Sequence, residues 1–237
     1  MPAFASRATR WLLAAALLAA AAAQAQEGPP PDHAPGFTAR AAGSRLLVLP
    51  PDMELYSVSA GGVIEPRADW TEAAQKNFRA AIATQGERLG PRLTQLDTAQ
   101  AEDFGEIVNL HRAVAEAISM HHSGGLMELA TKGQALDWSL GDAVRPIRER
   151  TGADYALFTW IRDSYASTER KAAMLALALL GAISFGGEQV GYASLVDLHT
   201  GRVVWFHRLN RMSGDLREPK PAVETVEALL KGFPALE

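Results

Sequence analysis

The sequence predicts one α/β domain, a mixed sheet of about five strands with helices packed on its faces. Three observations lead there. Short apolar runs alternate along the chain with longer segments whose apolar residues recur every three or four positions. The last third holds two apolar runs around a turn signal, followed by a final helical stripe. The chain has 237 residues, 48% hydrophobic and 21% charged, enough for one packed core, and shows no internal repeat.

The elements follow in order. RLLVLPP, 45–51, is a buried strand stopped by Pro50-Pro51. Residues 53–67 read as a second strand, a glycine turn and a short extended piece. Asp69, with Glu72 three residues on, reads as the cap of a helix whose stripe is Trp70, Ala74, Phe78, Ala81, Ile82 and Leu89, ended by Gly90-Pro91. Residues 92–97 form a short strand. A second helix is expected from Ala101 to His122, on the stripe Phe104, Ile107, Val108, Val114, Ala115 and Ile118. Another starts near Asp142 and stops at Thr151-Gly152. DYALFTWIR, 154–162, is apolar on both alternating faces, as a central strand covered on both sides must be. Residues 191–209 read as a hairpin turning at His199-Thr200-Gly201, and 219–231 as the last helix. The expected order is β β α β α α β α β β α.

The N-terminus sets the address. Arg7 and Arg10 precede the apolar run 11–23 and Ala23-Gln24-Ala25. That is the layout of a secretory signal peptide, residues 1–25, with cleavage after Ala25. Thirteen apolar residues fall short of the roughly 20 a membrane-spanning helix needs. Removal leaves 21 basic against 27 acidic residues, a net charge of −6 in place of −4. With no concentrated basic patch, nucleic acid is set aside as a partner. Residues 26–43 hold four prolines, three glycines and no hydrophobic period, and read as a disordered linker in which His33 has no assigned role. The domain is then 44–237. Cysteine is absent, so no disulfide staples an exported chain and no lipidated cysteine anchors it. The expected location is the periplasm, with a peripheral position at the outer membrane left open.

TGADYALFTW, then a helix, then GYASLVDLHTGRVVWFHRL resembles the C-terminal half of a broad group of bacterial envelope proteins. The group includes the curli-secretion lipoprotein, the lipoprotein activators of penicillin-binding proteins and the N-terminal domain of the translocation protein TolB. The shared features are the strand after "GADY" and a hairpin whose first strand ends in Asp-x-x-Thr-Gly, here Asp197, Thr200 and Gly201. The similarity spans about 151–209, plus the strand at 45–50. It implies an α/β domain that assembles with or docks onto other envelope proteins, with no catalytic residues. The lipidated cysteine of the lipoprotein members is missing.

Between hairpin and central strand lies KAAMLALALLGAISFGG, 171–187, with Ser167 as a cap and Gly186-Gly187 as a stop. Ala172 to Phe185 is fourteen residues, about 21 Å of helix against a hydrocarbon core of roughly 30 Å, so it does not span a bilayer. Three readings stay open: a helix buried in the core, a protein interface, or partial insertion in a membrane surface. For the interface, Ala178, Ala182 and Gly186, four apart, form a small-residue face beside Leu175 and Leu179.

Catalytic signatures are absent from the sequence: no G-x-S-x-G, S-x-x-K, Walker loop, G-x-G-x-x-G or H-E-x-x-H. His111 and His122, eleven residues apart on one stripe, are separated by about 16 Å and cannot share an ion. No metal site and no cofactor is expected. The expected function is non-catalytic: an exported envelope protein working by self-assembly or by association with envelope proteins. Two alternatives remain. One is a periplasmic hydrolase with a site from loops 52–69 and 121–139, where Glu54, His121 and His122 would converge. The other is a small-ligand binding module.

Overall fold

A computed structural model of the chain describes residues 32–122, 127–178 and 187–237. The strands are β1 (Leu46–Val48), β2 (Asp52–Val58), β3 (Ile64–Pro66), β4 (Leu93–Gln95), β5 (Trp138–Ser139), β6 (Tyr155–Ala166), β7 (Gln189–Asp197) and β8 (Arg202–Arg211). The helices are α1 (Ala68–Ala83), α2 (Gly86–Leu89), α3 (Thr98–Glu102), α4 (Gly105–His121), α5 (Arg145–Thr151), α6 (Thr168–Ala178) and α7 (Pro219–Leu229). A 3-10 turn, Gly141–Val144, leads into α5.

The strands join in one eight-stranded mixed sheet, ordered β3-β2-β6-β7-β8-β5, with β1 beside β6 and β4 beside β1. The strand β6 is the spine. Its first residues pair in parallel with β1, Leu46↔Tyr155 to Val48↔Leu157. Its remainder pairs in parallel with β2, Asp52↔Trp160 to Val58↔Ala166. Its other edge pairs antiparallel with β7 along nine residues. Pro50-Pro51 cannot donate to a ladder, so the partner strand breaks there into β1 and β2. The sheet has eight strands where about five are expected; β3 and β5 among them are pieces of three and two residues, too short to leave a period in the sequence.

Alternation along the strands fills two cores. On one face Leu46, Val48, Met53, Leu55, Leu157, Ile161, Leu195 and Trp205 meet Phe78 and Ile82 of α1 and Val226 and Leu229 of α7. On the other, Leu47, Ala156, Phe158, Tyr192, Val196 and Phe206 meet Ile107, Ala115 and Ile118 of α4 and Ile147 of α5. Both faces of β6 and β7 are covered over most of their length, in keeping with their continuous apolarity.

Three local expectations are corrected. Asp69 does not cap α1. Arg67 occupies the cap position without a side-chain bond, and its guanidinium holds the Asp69 carboxylate at 2.9 Å. The stripe to Leu89 is two helices, because Thr84-Gln85 interrupts it before α2. The expected helix from Ala101 to His122 is likewise two. Asp97 and Gln100 form a capping box that starts α3 earlier, and α4 restarts after Phe104.

The largest correction concerns the linker. Residues 26–31 lie outside the described residues, but 32–43 run along the domain. His33 bridges to Trp205, and Arg40 to Leu236. The Arg40 side chain is fully buried. Its guanidinium donates to the carbonyls of Leu89 (2.8 Å), Arg88 (3.0 Å) and Pro234 (3.1 Å), and lies 4.7 Å from the Phe233 ring centre. Leu89 and Arg88 carry carbonyls at the end of α2 that the helix itself leaves unpaired. Burial lowers the Arg40 pKa to about 10, which keeps the group charged at neutral pH. A polar, proline-rich stretch is therefore ordered by tertiary hydrogen bonding, which has no periodicity.

Replacing Arg40 with Met keeps a long side chain and strips three carbonyls, two of them in buried bonds, of their donor. We expect a loss of roughly 3 kcal/mol, since each buried acceptor left unsatisfied costs about 1–3 kcal/mol. Urea unfolding measures it, and a midpoint unchanged from the parent would remove Arg40 as a clamp.

Candidate functional site

One end of the sheet carries four of the exposed large apolar side chains, Val63, Ile64, Leu175 and Met212, while Leu110, Met120 and Met127 lie on or just after α4. The chain enters α6 directly from β6. The Ser167 amide donates to Val58 O at 2.9 Å, and Ser167 Oγ accepts from the Arg170 amide at 3.2 Å, capping the helix as expected. The Arg170 guanidinium reaches Ser59 O at 3.2 Å and ties α6 to the β2–β3 turn. Beyond those ties the helix stands off the domain. Ala172, Ala173, Leu175 and Ala176 are exposed, Leu175 by 67%. The buried-core reading therefore fails for this part of the helix. Ala178 ends α6, and Leu179, Ala182 and Gly186 lie outside the described residues.

Register places three further side chains at that end. Ile64 pairs with Val58, which pairs with Ala166. Asp163 pairs with Gln189, which pairs with Arg211, next to Met212. Val63, Ile64 and Met212 are each more than half exposed. Sequence reasoning missed them, because an apolar residue in a turn or after a strand carries no mark of exposure.

Beneath this end runs a buried polar network. Asp163, 2% exposed, accepts through Oδ2 from the Tyr165 hydroxyl and from Gln189 Nε2 (2.7 Å). Gln189 Oε1 accepts from Thr225 of α7 (3.0 Å), and the Tyr165 oxygen accepts from the Leu216 amide (2.8 Å). Arg217, bonded to Asp215, covers the rings of Tyr165 and Trp70 at 4.1 and 4.3 Å. Burial raises the Asp163 pKa to about 6 against the opposing pull of its two donors. The bonds of Gln189 to Asp163 and Thr225 tie β6, β7 and α7 together under the apolar end, and the Tyr165 bond ties in the segment before α7.

The Asp-x-x-Thr-Gly hairpin is built by its own side chains. Asp197 accepts from the His199 amide (2.8 Å) and the Thr200 hydroxyl (2.9 Å). Gly201 has φ 70°, and a Cβ there would lie 2.1 Å from Gly141 O, so only glycine fits the turn against the β5 loop.

The three residues of the hydrolase alternative do not converge. Glu54 is on β2, bonded to the Tyr56 hydroxyl and 3.5 Å from Arg162. His121 stacks on Trp138 of β5 and meets Met127 O at 2.6 Å. Three strands separate β2 from β5, the strand on which His121 stacks, which puts those two strands about 19 Å apart across the sheet. His122 is buried at the end of α4, beside Asp32 and His207. His111 stacks on Phe158 at 4.0 Å, and burial lowers its pKa to about 3, so it is a neutral packing group. Among the described residues no three metal-ligating side chains form a cluster.

Known proteins offer only faint parallels. No protein-family profile matches the chain, and no curated protein does. Solved structures similar to it include the PelC dodecamer from Paraburkholderia phytofirmans, at 12% identity over 84% of this chain and 93% of that one, TM-score 0.39. The C-terminal domain of LpoB from Salmonella enterica is 13% identical over 76% and 88%, TM-score 0.29. The lipoprotein GNA1162 from Neisseria meningitidis is 12% identical over 72% and 81%, TM-score 0.32. None of these assigns a role to a residue of this chain.

The Asp163 network makes stability depend on pH with a definite sign. The folded pKa is above the ordinary carboxylate value of 3.8. Asp163 therefore favours the fold fully below pH 4, and that contribution is lost as pH rises through about 6, by on the order of 3 kcal/mol. Asp163→Asn keeps an oxygen for both donors and carries no charge. Its stability relative to the parent should rise between pH 4 and pH 7 in urea titrations, and a difference that stays flat across that range would contradict the assignment.

Proposed function

We propose that this chain is a non-catalytic exported protein of the cell envelope, acting by association with itself or with another envelope protein through the α6 end. Residues 1–25 serve as a signal peptide cleaved after Ala25, and the mature domain works in the periplasm or peripherally at the outer membrane. One observation carries the reading: an Ala- and Leu-rich helix stands in solvent at the sheet end that also carries the exposed Val63, Ile64 and Met212. Soluble domains rarely leave extensive apolar surface uncovered. No helix among the described residues is long and apolar enough to cross a membrane.

Magnitudes shape the contact. Covering four partly exposed aliphatic side chains stabilises an interface by roughly 4–8 kcal/mol. Association costs about 4–15 kcal/mol in lost freedom. A single contact made by those four residues is marginal. The interface must therefore extend through Leu179, Ala182 and Gly186, or be repeated around a closed assembly.

A photo-crosslinking residue at position 175 of the exported protein tests this, with position 110, on the exposed side of α4, as control. Adducts specific to 175 that contain a second copy or one envelope protein are expected, and Leu175→Asp or Ala178→Arg should abolish the assembly while leaving circular dichroism unchanged. Adducts with lipid alone, or none specific to 175, would overturn the proposal.

A further inference from the structure

The face of the sheet under α4 is only partly covered. The stripe of α4 lies over the row of Phe158, with His111 stacked on that ring. The next register row, Trp160↔Tyr192↔Arg208, lies at the flank of the helix. There a cleft of about 580 Å³ opens, lined by Glu116, Ser119 and Met120 of α4 and by Trp160, Tyr192 and Arg208 of the sheet. That volume is in the range of small-molecule sites.

The floor is apolar. Trp160 and Tyr192 stack on one another at 5.6 Å and an interplanar angle of 12°, Tyr192 stacks in turn on Phe206 at 5.2 Å, and the Arg162 guanidinium lies 4.8 Å from the Trp160 ring centre. Their faces are thus taken, and the cleft meets Trp160 beside Val190 and Met120. The rim carries uncommitted charge. Arg162 and Arg112 nearby are both engaged by Asp52, at 2.8 and 3.3 Å. Arg208 and Glu116, in contrast, form no hydrogen bond or ion pair with any described residue. They face one cleft without bridging to each other.

We propose that this cleft binds an apolar small molecule with one anionic group. Its apolar body packs against Trp160, Val190 and Met120, and the anion pairs with Arg208 in a charge-assisted contact. Glu116, on the opposite wall, accepts from an N–H or hydroxyl and disfavours a second anion. The site is independent of the α6 end, so either can exist without the other.

The probe is 8-anilinonaphthalene-1-sulfonate, a fused ring with one sulfonate and one N–H, titrated into the purified protein. One saturable micromolar site is expected, with quenching of tryptophan emission. Met120→Glu, which sets a second carboxylate over the cleft, should weaken binding at least tenfold. Arg208→Ala should weaken it about tenfold while leaving the uncharged analogue N-phenyl-1-naphthylamine unchanged. Leu175→Asp should leave both probes unaffected. The proposal fails if binding is not saturable, if Leu175→Asp removes it while Met120→Glu spares it, or if Arg208→Ala acts equally on both probes.

Discussion

Everything in this domain is referred to one twelve-residue strand and to the break in its partner. The strand β6 is longer than either strand that pairs with it in parallel. Pro50-Pro51 supplies no amide hydrogens where a continuous partner would need them, so one edge of β6 carries two strands in succession. The first, β1, accepts β4 at its outer edge, and the second, β2, turns back into β3. The other edge carries the long antiparallel pair β7–β8. Helices then cover whichever faces this arrangement leaves apolar, and the uncovered remainder supplies both candidate surfaces.

The interior handles three ionisable groups in three ways. Arg40 stays charged, because three carbonyls and an aromatic face replace its water. His111 stays neutral, because burial against Phe158 offers its ring no compensating partner, and its contribution to the fold is lost as pH falls below its ordinary value of 6.5. Asp163 is intermediate. Two donors favour its anion, burial opposes it more strongly, and it titrates near neutrality. Partner count decides the outcome each time.

Periodic features were legible in the sequence. The stripe of α1, the two-faced apolarity of β6 and the turn at Gly201 each follow from a repeat or a residue type with one physical use. Features set by contact between distant segments were not. Nothing local in residues 32–43 announces order, since that order comes from carbonyls almost fifty and almost two hundred positions away. The apolarity of 172–176 was visible but its exposure was not, because composition reports transfer preference and not which neighbours are present. The aromatic cleft draws on α4, β6, β7 and β8, each unremarkable alone.

Laterally the sheet thins out in β3, β4 and β5, strands of three, three and two residues. The strand β5 covers only Arg202 and Val203 of the ten-residue β8. Residues 32–34 take over from there, the Ala34 amide donating to Val204 O and the Phe206 amide to Asp32 O. The leading segment thus acts as a selvedge: it screens part of a long strand margin that would otherwise stand open to a foreign strand.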